Sequence, residues 1–496
     1  MHEPTGAVRL HPRRWPALIV ILIAVFMDLL DATVVLIALP SLRHDLGASE
    51  TVLEWTAAGY TLAFATLLIT GGRLGDRFGR KRVLLAGLVV FVVASVAAGA
   101  SVSPAMLVVS RLVQGAAAAL MIPQVLPFIQ TEFSDEERPK AIAAFGMTFA
   151  VGGVSGPLLG GLLLDAGLFG WGWRTVFFVN VPFGLVCLAG VAALAPESRT
   201  GAARRFDVLG LLIATAALAA LFHPLIEGQA LGRPGWILAL PVAAVLLFAM
   251  FLRRERTAVG RGADPLINPA LFRSRAVSGG LAVAVFFFCG PAYGFVMTIF
   301  LQDFAGWTPL RTALTLLAFA VGVVFGSGAA TRLAPMLGRR VVIAGPLVMA
   351  AGIGLVAGAV RLGGTEVGQW QLVPGLFVAG LGMAAVATTL ITVVLAHVRD
   401  ADAGAASGVI NTTIQLGTAL GIAVIGAVFF SLLDAGPPAD AAITALLCVA
   451  ALLLVSAALG FLLPPRQITD PPGAARRRAE GGAPRAPRTP RRSDRG

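Results

Sequence analysis

Long apolar runs alternate with short polar connections along most of the chain, and about fourteen runs are long enough to cross a bilayer. They fall near residues 17–39, 52–71, 83–103, 106–128, 141–163, 175–195, 208–227, 235–252, 277–300, 309–331, 341–360, 371–396, 404–430 and 441–463. A crossing takes roughly 20 apolar residues as a helix. Lipid offers no partner to a bare backbone N–H or C=O, so a helix that satisfies both internally is the expected form. The pattern predicts an all-α integral membrane protein. Its first apolar run, residues 16–40, is longer than a secretory core and shows no small-residue cleavage site, so it is read as a retained first helix. Residues 1–16 form a polar N-tail. Residues 464–496 are Pro-, Gly-, Ala- and Arg-rich without apolar periodicity, which predicts a disordered tail able to touch anionic lipid.

Composition agrees with lipid as solvent: 57% of the 496 residues are hydrophobic and 13% are charged, against about 25% charged in soluble domains. The net charge of +12 does not point to nucleic acid, because the basic residues sit in short loops and the tail. Their placement tests the helix count instead. With fourteen spans and the N-terminus inside, 32 of the 38 Lys and Arg fall on the cytoplasmic side and 5 outside, with Arg111 left within a span. One helix more or fewer in the middle would flip every later loop and spoil that sorting. Both termini are therefore expected in the cytoplasm, in the plasma membrane.

A short repeat divides the count. Residues 73–80 read RLGDRFGR and residues 332–339 read RLAPMLGR, each followed by a basic residue and an apolar run. They lie eight helices apart, as two six-helix bundles with two helices between them would place them. Residues 17–195 and 277–463 are assigned to the bundles and 196–276 to two inserted linker helices with their loops. Parallel halves around a central path are a transporter architecture.

Charges within a span are costly, about 2.5–3.5 kcal/mol at the centre on insertion scales, so each is a functional candidate. Asp28 and Asp31 share one face of helix 1, about 17 and 21 Å from its cytoplasmic end. Arg111 enters helix 4 from outside and reaches a similar depth. A carboxylate there is balanced between desolvation and the arginine, so moving the arginine or admitting a cation changes its proton occupancy. That arrangement can exchange protons for substrate. A static pair fixing helices 1 and 4 is the alternative.

The segment from Gly72 to Arg82 (GRLGDRFGRKR) reads as a tight basic cytoplasmic turn. Gly75 and Gly79 allow close approach, and Asp76 can accept from Arg77, Arg80 or a helix N-terminus. It is either a latch or plain positive-inside topology. Gly152, Gly156 and Gly160 make a smooth face on helix 5, and Pro157 removes a backbone donor. The result suits rocking, or simple close packing. Gly417, Gly421 and Gly426 repeat the idea on helix 13. On helix 9, Phe287 and Tyr293 flank the break Gly290-Pro291 and can wall a greasy cavity or face lipid. Asn411 and Gln415 stand one turn apart on helix 13 and can hydrogen-bond a substrate. His223 and Glu227 read as interfacial. Cys187, Cys289 and Cys448 lie in apolar runs without metal or disulfide spacing. There is no P-loop, no Ser/His/Asp set and no domain able to hydrolyse ATP, so no enzyme and no cofactor is expected. An ion or substrate gradient must supply the energy.

Four motifs resemble the major facilitator superfamily, and within it the fourteen-helix drug:proton antiporters. Gly72 to Arg82 is similar to the superfamily's loop 2–3 signature, and RLVQG from Arg111 to the helix 4 arginine motif. Gly152 to Gly161 resembles the exporters' antiporter motif, and DATVVLIALP from Asp31 the helix 1 signature of the fourteen-helix group. Trp173-Arg174 and Asn180 with Pro182 also fit. The resemblance covers about residues 15–463. It implies a 6+2+6 major facilitator fold and a proton-coupled multidrug antiporter. In it Asp31 and Arg111 couple protons, joined on the residue reading by Asp28, and Gly72, Gly75, Asp76, Arg77, Gly79, Arg80, Gly152, Gly156, Pro157 and Gly160 gate. Phe287, Tyr293, Asn411 and Gln415 are the substrate-binding candidates. Three departures stand out: Leu36 where the family usually has Asn, the additional acid Asp28, and Pro335 in place of a second Asp76. The expected partners are a small amphipathic molecule, protons and lipids, with no nucleic acid and a monomeric chain. A proton-independent facilitator or uptake carrier, and a non-transporting receptor or scaffold, are the competing readings.

Overall fold

A computed structural model of the chain describes residues 11–463, apart from 199–206, 229, 233–234, 262–266, 268, 397 and 399–402. Residues 1–10 of the expected N-tail and the tail 464–496 lie outside the described residues. Fourteen helices are long and apolar enough to span a membrane. The first seven are α1 Arg14–Leu46, α2 Glu50–Phe78, α3 Arg80–Gly99, α4 Pro104–Glu132, α5 Arg138–Asp165, α6 Gly172–Leu194 and α7 Val208–Glu227. Next come α8 Gly235–Gly260, α9 Arg275–Phe304, α10 Pro309–Leu337 and α11 Arg339–Glu366. The last three are α12 Gln369–Leu395, α13 Ala403–Leu433 and α14 Pro438–Leu462. No strand forms among the described residues.

Most helices overrun the apolar runs that announced them, although α7 coincides with its run and α3 stops at Gly99, short of the expected 103. Hydropathy marks only the hydrocarbon depth, whereas the backbone ladder continues through the headgroup layer until a local stop ends it. Thus α1 passes Pro40 and ends at Gly47, whose φ of 59° is left-handed and whose N–H donates to the Arg43 carbonyl. Interruptions fall where a proline withholds a donor. Pro123 sits in a 3-10 turn of α4 spanning Ile122–Gln124. In α9 the α-helix stops at Phe287 and resumes at Ala292, past Pro291.

The turn expected at 72–82 shrinks to one residue. α2 runs to Phe78 and α3 starts at Arg80, so Gly72 and Gly75 are helical and only Gly79 turns, with φ 104° and ψ 132°. Gly338, with φ 51°, joins α10 to α11 in the same manner. Gly79→Ala forces an L residue into this backbone and brings a Cβ to 2.4 Å from Glu197 Oε1. The expected loss is about 1–3 kcal/mol, read as a lower melting temperature of the purified protein in detergent; an unchanged melting temperature would refute the strain.

Packing repeats across the chain. In the first set α1 packs on α5 and α6, α2 on α4, and α3 on α4 and α6. In the second, α9 packs on α13 and α14, α10 on α12, and α11 on α12 and α14. The sets meet through α2 with α13 and α5 with α10, a pairing that exchanges into itself. α7 and α8 pair with each other, and α7 leans on α2 and α13. Outer faces carry exposed Val89, Val93 and Val96 on α3 and Val242, Val245 and Leu246 on α8, surfaces suited to lipid tails.

Polar contacts between the sets gather at the end away from Gly79. There Gln302 Nε2 donates to the Ile37 carbonyl at 3.1 Å. Asp303 lies 3.5 Å from Arg43 and 3.4 Å from His44. At the Gly79 end the ion pairs run within the first set and within the inserted pair α7–α8 instead. Arg14 pairs with Glu137 at 2.8 Å, and that hydrogen-bonded guanidinium holds the Glu137 carboxyl below its usual range. Asp207 caps α7 through the Gly210 N–H at 2.8 Å and pairs with Arg254 of α8. The Arg254 bond is the main reason that its carboxyl is also held low.

Candidate functional site

Glycines decide how closely α1, α2, α4 and α5 approach, and that closeness assembles a buried polar cluster. A Cβ on Gly115 would lie 2.1 Å from the Tyr60 carbonyl, and one on Gly71 would lie 1.9 Å from the Ala119 carbonyl. Gly75 faces Gln124, whose Nε2 donates to the carbonyls of Gly71 and Leu120 at 2.9 and 3.0 Å. With α4 drawn onto α2 in this way, Arg111 reaches across to α1.

Arg111 is 1% exposed and Asp31 0%. The guanidinium donates from Nη1 to Asp31 Oδ2 at 2.5 Å and to Gln114 Oε1 at 2.9 Å. Its Nε donates to the Thr56 carbonyl at 3.1 Å. It stacks over the Tyr60 ring, 4.4 Å from the centroid. Asp31 Oδ1 accepts from Asn180 Nδ2 at 2.6 Å and from Gln114 Nε2 at 3.1 Å. Ser95 of α3 takes a further bond from Gln114 at 2.9 Å. The Asn180 Oδ1 is buried without a partner. Asp28 accepts from the Tyr60 hydroxyl. The two acids share a helix but not a partner: Asp31 is tied to α4 and α6, Asp28 to α2.

The Gly152, Gly156 and Gly160 face lies against this same helix. A Cβ on Gly152 would lie 2.8 Å from Leu29 Cβ, on Gly156 1.7 Å from Thr33 Oγ1, and on Gly160 2.9 Å from Val34 Cγ2. The seam thus brackets Asp31 along α1, and α5 stays helical through Pro157. On its flank Gly161 meets Leu310 and Ala313 of α10. Gly417 and Gly421 of α13 likewise meet α9 at Val285 and Cys289.

At the Gly79 joint Asp76 pairs with Arg80 at 3.1 Å, while Arg77 lies over the Phe78 ring at 5.2 Å. Glu197, beyond α6, accepts from the Lys81 N–H at 3.2 Å and so places its charge at the start of α3. Gly72 meets only Pro123, at an ordinary 3.6 Å.

The substrate-binding candidates differ in exposure. Phe287 is fully buried, edge to face with Phe288, so it is a core ring in this conformation. Tyr293 is buried against Phe319 of α10, with ring centres 5.1 Å apart. Asn411 is exposed and donates to the Ser407 carbonyl at 2.9 Å, and Gln415 is half-buried one turn on. Among the residues to which the sequence reading gave no individual role, Gln114 and Asn180 are amides inside apolar runs and Tyr60 is one of two tyrosines. Those oddities were visible, but their partners were not. The groups around His223 and Glu227 are also placed: Glu227 accepts from Trp55 Nε1 at 2.8 Å, and His223 stacks on Trp236.

The sequence profile described as the Major Facilitator Superfamily matches residues 21–207 and again 200–422. The chain belongs to the major facilitator superfamily. This major facilitator is therefore a membrane transporter, and the regular structure of its described residues is all helical. It is 41% identical over 427 residues to the probable actinorhodin transporter of Streptomyces coelicolor, covering 85% of this chain and 74% of that protein. It is 35% identical over 476 residues to the cephamycin export protein of Amycolatopsis lactamdurans, covering 92% and 94%. Among solved structures, a bacterial homolog of the human lysosomal transporter Spinster, in an inward-facing and occupied conformation, shares the fold. Its TM-score is 0.65 at 17% identity, over 92% of this chain and 97% of that one.

Proposed function

We propose that this major facilitator exports small amphipathic organic compounds in exchange for protons. Residues 17–195 and 277–463 act as the two moving bundles, with 196–276 as the inserted pair. The observation that carries the proton exchange is the charge count of the cluster: two buried carboxyls, Asp28 and Asp31, stand on one face of α1 with a single guanidinium, Arg111, which pairs with Asp31. Fully ionised, it holds an unmatched negative charge away from water, an unfavourable state that one proton or one cationic group relieves. A protonated Asp31 finds an acceptor in the free Asn180 Oδ1 once the amide turns. The names of the relatives, an actinorhodin transporter and a cephamycin exporter, support export as the direction and a natural product as the cargo.

The distribution of basic residues supports a plasma-membrane protein with both termini in the cytoplasm, the Gly79 end inside and the Asp303 end outside. The closed Arg43–Asp303 end is then the outer gate, and the α1–α5 glycine seam is the surface on which α1 rocks. Asp76 with Arg80 latches the inner end. The chain works as a monomer among lipids without a cofactor.

The test is uptake into proteoliposomes with an acid lumen, using lipophilic cations and neutral polycyclic compounds. Uptake is expected to rise with the pH gradient and to vanish when a protonophore collapses it. Uptake that survives the protonophore would make the chain a proton-independent carrier, and no uptake of any compound would leave a receptor or scaffold.

A further inference from the structure

We infer that Glu54 is a second proton site, distinct from the Asp31 cluster, and that it must be protonated for the two helix sets to close at the outer end. The inference deepens the proton exchange proposed above and rests on the same assignment of the outer side. Glu54 stands in the second turn of α2, two residues from Thr56, so the two residues point to nearly opposite sides of the helix. The Thr56 carbonyl accepts from Arg111, whereas the Glu54 side chain faces α13, where its Oε1 lies against Gly426. It is 3% exposed, and its Oε2 is buried with no hydrogen-bond partner.

The charged surroundings are acidic. Glu50, one turn back on α2, and Glu227, at the end of α7, both act on Glu54. Asp434, just past α13, adds to the acid around Glu50. On α1 the cation at this end, Arg43, is engaged by Glu50 at 3.6 Å and Asp303 at 3.5 Å. His223 of α7 is stacked on Trp236. A bare carboxylate in that dry seam, beside other acids and without a donor on Oε2, is unfavourable, and the neutral acid is the form that the closed seam accommodates.

The internal repeat shows that packing alone does not ask for a carboxyl here. The register that lays Gly79 on Gly338 lays Glu54 on Ala313. Ala313 occupies the matching seam between the sets, where Gly161 of α5 meets its methyl group. Two equivalent seams each set a glycine against the start of α2 or α10. One carries a methyl group and the other an acid. Opening the outer end would wet Glu54 and let it ionise, and acid outside would restore the neutral form and permit closure. Loading from outside before closing is the order an exporter driven by inward protons requires.

The experiment measures the outer opening as a label-to-label distance in the full-length protein in nanodiscs, without substrate. Labels are placed through Val102→Cys and Leu362→Cys, both highly exposed at that end of the two sets, with Cys448→Ala. With Glu54 intact, the distance is expected to lengthen from acid to alkaline buffer. Glu54→Gln is expected to lose that response and stay at the closed distance throughout. Glu54→Ala, which copies the matching seam, should do the same and covers the case in which the amide fails to fold. A pH response in Glu54→Gln or Glu54→Ala equal to that of the parent overturns the inference. Substrate-driven proton release by Asp31→Asn is read separately. Its persistence would remove the cluster from coupling and leave the Glu54 result standing.

Discussion

Asp31→Asn is expected to abolish substrate-driven proton release and to lower gradient-driven export about 100-fold, the equivalent of one charge-assisted hydrogen bond of about 1.5–3 kcal/mol. The amide keeps the size of the carboxyl but removes its charge. Arg111 then retains Gln114 and the Thr56 carbonyl, and Asp28 alone balances it. Two charges of opposite sign need no proton, so the cluster loses the imbalance that would draw one in. Substrate exchange across a membrane without a pH gradient should survive, because it needs the path but not net proton movement. The amide also turns one N–H toward donors, since Asn180 and Gln114 both point Nδ2 or Nε2 at this position. Some loss of stability is therefore expected alongside the loss of coupling. The measurement is proton release on substrate addition to purified protein, with exchange in proteoliposomes as the control. Release equal to that of the parent would show that Asp31 is only a brace between α1, α4 and α6.

Gly156→Ala is expected to cut transport by at least about tenfold while leaving the protein folded. The new Cβ falls 1.7 Å from Thr33 Oγ1, 2.8 Å from Thr33 Cβ and 3.3 Å from the Leu30 carbonyl. The first two atoms belong to a single side chain, so α1 must retreat from α5 or Thr33 must turn away; overpacking of this sort costs about 1–3 kcal/mol. Retreat would shift Asp31, which lies on the stretch of α1 between Leu30 and Thr33, away from Arg111. Thr33→Gly in the same chain removes both clashing atoms and should restore much of the activity. Transport assays of the single and double variants, with melting temperatures measured in parallel, decide it. A single variant that transports normally would show that α1 and α5 need no such contact during the cycle. A double variant no better than the single would show that the loss arises elsewhere.

The sequence by itself determined the solvent, the number of spans and the candidate charges. Membrane residence follows from additive quantities, apolar length and the cost of a bare backbone in lipid, which can be read along the chain. The repeat at 73 and 332 was equally legible, because local chemistry, a glycine joint flanked by basic residues, is written in consecutive positions. Asp28, Asp31 and Arg111 stood out because each is a charge in an apolar run. Only the tertiary structure decided which groups meet. It gave Asp31 to Arg111, Gln114 and Asn180 and gave Asp28 to Tyr60, a division that depends on the rotation of α1 against three other helices. It moved Gly72 and Gly75 out of the turn and onto the α2–α4 contact, because a glycine reads alike in a loop and at a helix crossing. It buried Phe287, since an aromatic in a membrane helix carries no mark of which side faces lipid, cavity or core. It also set Glu54 between two helix sets that meet across hundreds of residues of chain. The physical reason is common to all four cases: hydropathy is summed along the sequence, whereas pairing and burial are set by helix rotation and by close approach at glycines distant in the chain.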